Sequence, residues 1–74
     1  MNIQEATKLA MEQQKFISRI YFIKTFKVKI KPTNGYVLCE SYPLNVDEIG
    51  APAPRRGWQP KAEDLVADDW VVAD

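Results

Sequence analysis

A chain of 74 residues with one cysteine, Cys39, and no histidine lacks the covalent and metal staples on which the smallest domains rely. One thiol closes no intrachain disulfide, and one thiol without imidazole builds no zinc site. A domain of this size buries only roughly 60% of the surface its unfolded form exposes. Self-association is therefore the expected source of further buried area. Apolar residues make up 46% of the chain, enough for a folded core. The length supports a single domain over residues 1–74.

Net charge is zero, but the charges are segregated. Residues 1–40 carry Lys8, Lys15, Arg19, Lys24, Lys27, Lys29 and Lys31 against Glu5, Glu12 and Glu40, whereas the remainder sets Arg55, Arg56 and Lys61 against seven acids. Two oppositely charged halves suit complementary surfaces between copies better than a clamp on a nucleic-acid polymer, which calls for a basic domain. No apolar run approaches the roughly 20 residues of a membrane span, and no signal peptide is visible. The expected location is the cytoplasm, where Cys39 stays reduced.

Asn2 followed by Glu5 is a capping-box start, and Ile3, Ala6, Leu9 and Ala10 share one helical face, predicting a helix that ends near Gln13 or Gln14. Phe16–Ile23 is rich in β-branched and aromatic residues and reads as a strand. Phe26, Val28 and Ile30 then alternate with Lys27, Lys29 and Lys31, predicting a strand with one buried and one solvated, lysine-lined face. That lysine row either attracts phosphates or keeps an edge soluble. Pro32-Thr33-Asn34-Gly35 predicts a hairpin turn, with Tyr36–Ser41 returning. Tyr42–Gly57 reads as a long irregular connection. Gln59-Pro60 opens a short helix with Ala62, Leu65 and Val66 on its apolar side, and Asp69–Val72 closes the chain as a strand. Strands run together and helices stand apart: the fold class is α+β, a small antiparallel sheet with an N-terminal helix and a short C-terminal helix before the last strand.

Catalysis has little to work with. The usual general base is absent, and Cys39 has no imidazole partner, which leaves it as a small buried residue. Glu63, Asp64, Asp68 and Asp69 are close in sequence, either as helix-surface carboxylates or as a site for a divalent metal and hydrolysis. No cofactor is expected. Binding has better candidates. Trp58 follows Arg55-Arg56-Gly57, and an indole beside two guanidinium groups suits a flat, negatively charged ligand; equally, Trp58 could pack inside with the arginines solvated. Tyr21 and Phe22 offer a second stacking surface or simply core. Trp70, followed by two valines in the expected strand, reads as core.

The stretch Trp58-Gln59-Pro60-Lys61-Ala62-Glu63-Asp64-Leu65-Val66-Ala67-Asp68-Asp69-Trp70-Val71-Val72 resembles the closing motif of a small phage and bacterial domain family: Trp-x-Pro, then Asp-Leu, then an acid and Asp-Trp. Asn2-Ile3-Gln4-Glu5-Ala6 and Lys15-Phe16-Ile17-Ser18-Arg19 are similar to its opening. The family includes the phage sponges of the second Thoeris anti-defence type, which bind cyclic nucleotide immune signals such as cyclic ADP-ribose isomers and withhold them from host effectors. The resemblance implies a homotetramer with pockets where subunits meet and a ligand held by stacking and polar contacts without turnover. It places Trp58, Arg19 and Asp64 at family positions. The chain departs from the pattern at Gln14, where the family carries glycine, and at Phe22, where it carries tryptophan. An oligomeric protein-interaction module without a small-molecule ligand is the alternative expectation.

Overall fold

In the computed structural model, which describes residues 1–34, 39–44 and 55–74, the chain starts as its capping signal requires. The Asn2 side chain accepts the Glu5 N–H at 2.8 Å, and the Glu5 carboxylate accepts the Asn2 N–H at 3.1 Å. This reciprocal pair satisfies donors that a helix start leaves orphaned. Helix α1 (Ile3–Gln13) follows and packs on the sheet through Ala6 and Ala10, whose small, fully buried side chains permit a close approach. It closes at Gln14, which takes a left-handed φ of 56°, while the Lys15 N–H reaches back to the Ala10 carbonyl at 2.8 Å. This is the Schellman closure usually given to glycine. A side chain in that backbone region costs roughly 1–2 kcal/mol, partly offset because glycine loses more entropy on folding. Gln14→Gly is therefore expected to stabilise the fold by about 0.5–1 kcal/mol, seen as a higher urea midpoint at unchanged slope.

Four strands are present among the described residues: β1 (Phe16–Arg19), β2 (Val28–Lys31), β3 (Glu40–Pro43) and β4 (Trp70–Ala73). All neighbours are antiparallel, in the order β3-β2-β1-β4. Ile17 pairs with Ile30 on one side and Val72 on the other, and Arg19 pairs with Trp70. Ile17, Ile30 and Trp70, with Ala6, Ala10 and Phe22, form the buried core. A short helix, α3 (Ala62–Val66), precedes β4. The architecture is α+β, as expected.

The strand expected over Phe16–Ile23 stops at Arg19, and helix α2 (Ile20–Thr25) takes over. The cause lies far away in sequence. The Asp69 backbone carbonyl accepts the Ile20 N–H at 3.0 Å, and its carboxylate accepts the Tyr21 N–H at 3.2 Å. A residue across the fold thus caps the first turn, overriding local β preference. Phe22 turns into the core, edge-on to Trp70 at 5.6 Å between ring centroids, while Ile20, Tyr21 and Ile23 face outward. Both the Phe26 and Lys27 N–H groups then bond the Phe22 carbonyl, and Lys27 takes a φ of 53°. Lys27 therefore lies outside β2, and Phe26 is the residue that ends α2.

The solvated lysine face is also corrected. Lys29 is only 7% exposed, with its ammonium 4.1 Å from the Phe16 ring centre and donating to the Asp74 carbonyl at 2.7 Å. Its methylene stem is apolar enough to be covered once the charged tip has partners. Lys31 stays exposed.

Gly35 of the expected hairpin turn and residues 36–38 of its return lie outside the described residues, as does 45–54 of the expected connection. The described return runs over Glu40–Pro43, so Tyr42 and Pro43 are strand. Beyond it, Arg55 exchanges two backbone hydrogen bonds with Ser41, at 2.8 and 2.9 Å, and the Trp58 N–H donates to the Cys39 carbonyl at 2.8 Å. Gly57, at φ 70°, makes the turn between these anchors, which delivers Trp58 to the sheet face. Helix α3 begins at Ala62 rather than at Pro60. Its expected apolar side is not buried: Leu65 is 51% and Val66 79% exposed, and the residue α3 buries is Asp64.

Candidate functional site

Asp64 is buried because each of its polar atoms finds a partner. Its Oδ1 accepts Arg19 NH1 at 2.7 Å, its Oδ2 accepts the Lys61 N–H at 2.8 Å, and its backbone carbonyl accepts Trp70 Nε1 at 2.8 Å. The Lys61 contact is half of a capping box, with the acid at the third helical position reaching back. Arg19 spends a second arm on Asp69, whose Oδ1 accepts its Nε at 2.7 Å. The guanidinium carbon lies 5.3 Å from the Tyr21 ring centre and 5.4 Å from that of Phe22. One arginine thus ties β1 to α3, to the residue before β4, and to the aromatics of α2.

The hydrogen bond from Arg19 holds the Asp69 carboxyl below the usual carboxylate range; the Tyr21 N–H helps, and partial desolvation opposes. The reciprocal bond to Asp69 raises the Arg19 value, again against desolvation. Because the folded Asp69 value lies below the unfolded one of about 3.9, its contribution to stability is present above about pH 4 and is lost as pH falls through the folded value. Unfolding free energy measured from neutral to acid pH is expected to drop in that window. Asp69→Asn should start lower and show a flatter acid limb.

Above this network opens a cleft of about 340 Å³. Its apolar wall is Tyr21, Phe22, Phe26 and Trp58 over a floor of Val28 and Ile30; Gln59, Lys61, Glu63, Asp64 and Ser41 supply the polar side. The volume falls at the lower end of the roughly 300–1,000 Å³ of small-molecule sites. The rings support one another: Phe26 meets Tyr21 edge-on at 5.7 Å, and Trp58 meets Trp70 at 6.0 Å and 81°. Trp58 is half-buried, packed on the core by one side and facing the cleft with another. A hollow of about 510 Å³ elsewhere, lined by Met11, Lys15, Phe16 and Lys31, offers one ring and no such cluster.

A family model described as the Thoeris anti-defense 2-like domain matches residues 1–73. The chain belongs to that family. The domain spans the core, the Arg19 network and the cleft together. Its name implies a role in countering Thoeris defence. No curated protein and no solved structure matches the chain. Among the described residues of this Thoeris anti-defense 2-like domain, no helix is long and apolar enough to cross a membrane.

The domain brings Trp58, Tyr21, Phe22 and Asp64 together in the cleft. Arg19 sits behind them, both its Nε and NH1 spent on carboxylates. Arg55 and Arg56 are exposed and are not among the cleft residues. Asp64 and Asp69 are bridged by Arg19, and no group of three potential metal ligands forms among the described residues. Gln14 is the left-handed helix end, and Phe22 is a buried ring at the cleft. The sequence did not mark Phe26, Gln59 or Lys61 as binding residues, and it offered Glu63 only as a surface or metal-binding carboxylate. Phe26 was hidden by its apparent alternation with the lysines, and Gln59 and Lys61 sat in the closing motif beside the tryptophan that drew notice.

Proposed function

We propose that this domain sequesters a cyclic nucleotide-type immune signal, a cyclic ADP-ribose isomer or a cyclic oligonucleotide, without cleaving it. The observation that carries this reading is the cleft walled by Tyr21, Phe22, Phe26 and Trp58, because a base offers a flat π-face to such rings and stacking is worth about 1–3 kcal/mol per base. The chemistry asked of the chain is retention alone, in keeping with the absence of histidine. The working unit is a homo-oligomer, by family analogy a tetramer, in the cytoplasm of the infected cell. Exposed Ile20, Ile23, Leu65 and Val66 supply apolar surface for contact between copies. The test is to incubate the protein with each candidate signal, denature it by heat and chromatograph the supernatant. Quantitative recovery of unmodified ligand supports the sponge; a cleaved product contradicts it.

The exposure of Leu65 and Val66 also favours a second reading, an assembly module whose surfaces contact protein alone. That reading expects no thermal stabilisation by any cyclic nucleotide.

A further inference from the structure

We propose that Lys61, and not Arg19, supplies the positive charge that a ligand phosphate meets in this cleft, and that Arg19 is a positioning residue holding the two walls at a fixed spacing. The proposal rests on the nucleotide reading of the cleft. Arg19 is the cation that residue type alone would choose, since its fork suits phosphate. Here that fork is occupied. Nε and NH1 each make a 2.7 Å bond to a different carboxylate, and the side chain is 13% exposed. One guanidinium between two carboxylates leaves the group net negative, so it repels a phosphate rather than recruiting one. To reach a ligand, Arg19 would have to abandon buried Asp64, which would then be left unpaired.

Lys61 stands differently. It lines the cleft, its side chain is exposed, and among the described residues no carboxylate pairs with its ammonium. Its backbone is nonetheless fixed, because its N–H is held by Asp64 Oδ2. The other charged residues lining the cleft are Glu63 and Asp64, beside the neutral Ser41 and Gln59. A base can therefore sit among the rings while its phosphate turns to the Lys61 rim. Arg19 sets the gap between them: through Asp64 it holds the Lys61 wall, and it lies against Tyr21 and Phe22 on the other.

The two roles predict different salt behaviour, because screening weakens only contacts made by charge. Binding of two probes, cyclic ADP-ribose and cyclic di-adenosine monophosphate, is measured over a salt series for wild type, Lys61→Gln and Arg19→Lys. Lys61→Gln, a surface change, is expected to weaken binding roughly tenfold and to flatten the salt dependence. Arg19→Lys keeps the charge but loses the fork. It is expected to lower the melting temperature and weaken binding while leaving the salt dependence of wild type. Acrylamide quenching of tryptophan fluorescence should rise in that variant as the walls loosen and Trp58 opens. A salt dependence unchanged in Lys61→Gln overturns the Lys61 assignment. Unchanged quenching and affinity in Arg19→Lys overturn the positioning role. A wild-type chain that binds neither probe fails the nucleotide reading itself, and the quenching measurement still decides whether Arg19 sets the spacing.

Discussion

Trp70→Ala is expected to leave most of the chain unfolded at ambient temperature. Trp70 has no exposed surface, meets both Phe22 and Trp58 edge-on, and donates its indole N–H to the Asp64 carbonyl. Removing a buried tryptophan costs about 3–5 kcal/mol through lost transfer energy and the cavity left behind. The lost indole donor leaves the Asp64 carbonyl seeking a new partner, at about 1 kcal/mol or more. At roughly 0.05–0.15 kcal/mol per residue, a domain of this length has total stability of the same order. Far-UV circular dichroism should show the loss directly. Trp70→Phe keeps the ring but not the donor, and should fold with a lowered melting temperature.

Asp64→Ala is the second large effect, at about 3–5 kcal/mol, the usual cost of breaking a buried ion pair from one side. The pair buries both partners, with side-chain exposures of 13% for Arg19 and 8% for Asp64. Alanine would strand one arm of Arg19 and also uncap the Lys61 N–H at the start of α3. Asp64→Asn is expected to cost less, because its single side-chain oxygen can still accept one of the two donors. If Asp64→Ala melted like wild type, the network would be a surface ornament rather than the tie between α3 and β1.

Those two residues differ in how much of their role could be read from sequence. Trp70, followed by Val71 and Val72 in a terminal strand, reads as core, and it is. The Asn2–Glu5 cap and the end of α1 were equally legible, because every group involved lies within a few residues. Helix α2 was not, since its cap comes from Asp69, 48 residues from Tyr21, and no local pattern carries that information. Lys29 misled for a related reason: alternation says which face a side chain takes but not what later covers it. In the cleft, Trp58, Tyr21 and Phe22 were found as aromatic residues, with core as an equal reading for Trp58 and as the favoured one for Tyr21 and Phe22 on their residues alone. Trp58 satisfies both readings, half against Trp70 and half against the cleft. Arg19 read as a ligand contact through the family resemblance; that its fork is spent on carboxylates became visible only with the positions of Asp64 and Asp69.

Phe26 offers the most direct test that the aromatic cleft binds a nucleotide. Its ring is 58% exposed and lines the cleft, so truncating it removes a wall with little loss of core. Calorimetric titration of cyclic ADP-ribose isomers and cyclic dinucleotides into wild type and Phe26→Ala should show saturable binding by wild type to at least one of them. The variant, with its melting temperature and oligomer mass near those of wild type, should bind that ligand about tenfold or more weakly. Equal affinity in the two proteins, or no binding by wild type across the set, would contradict the assignment of this cleft.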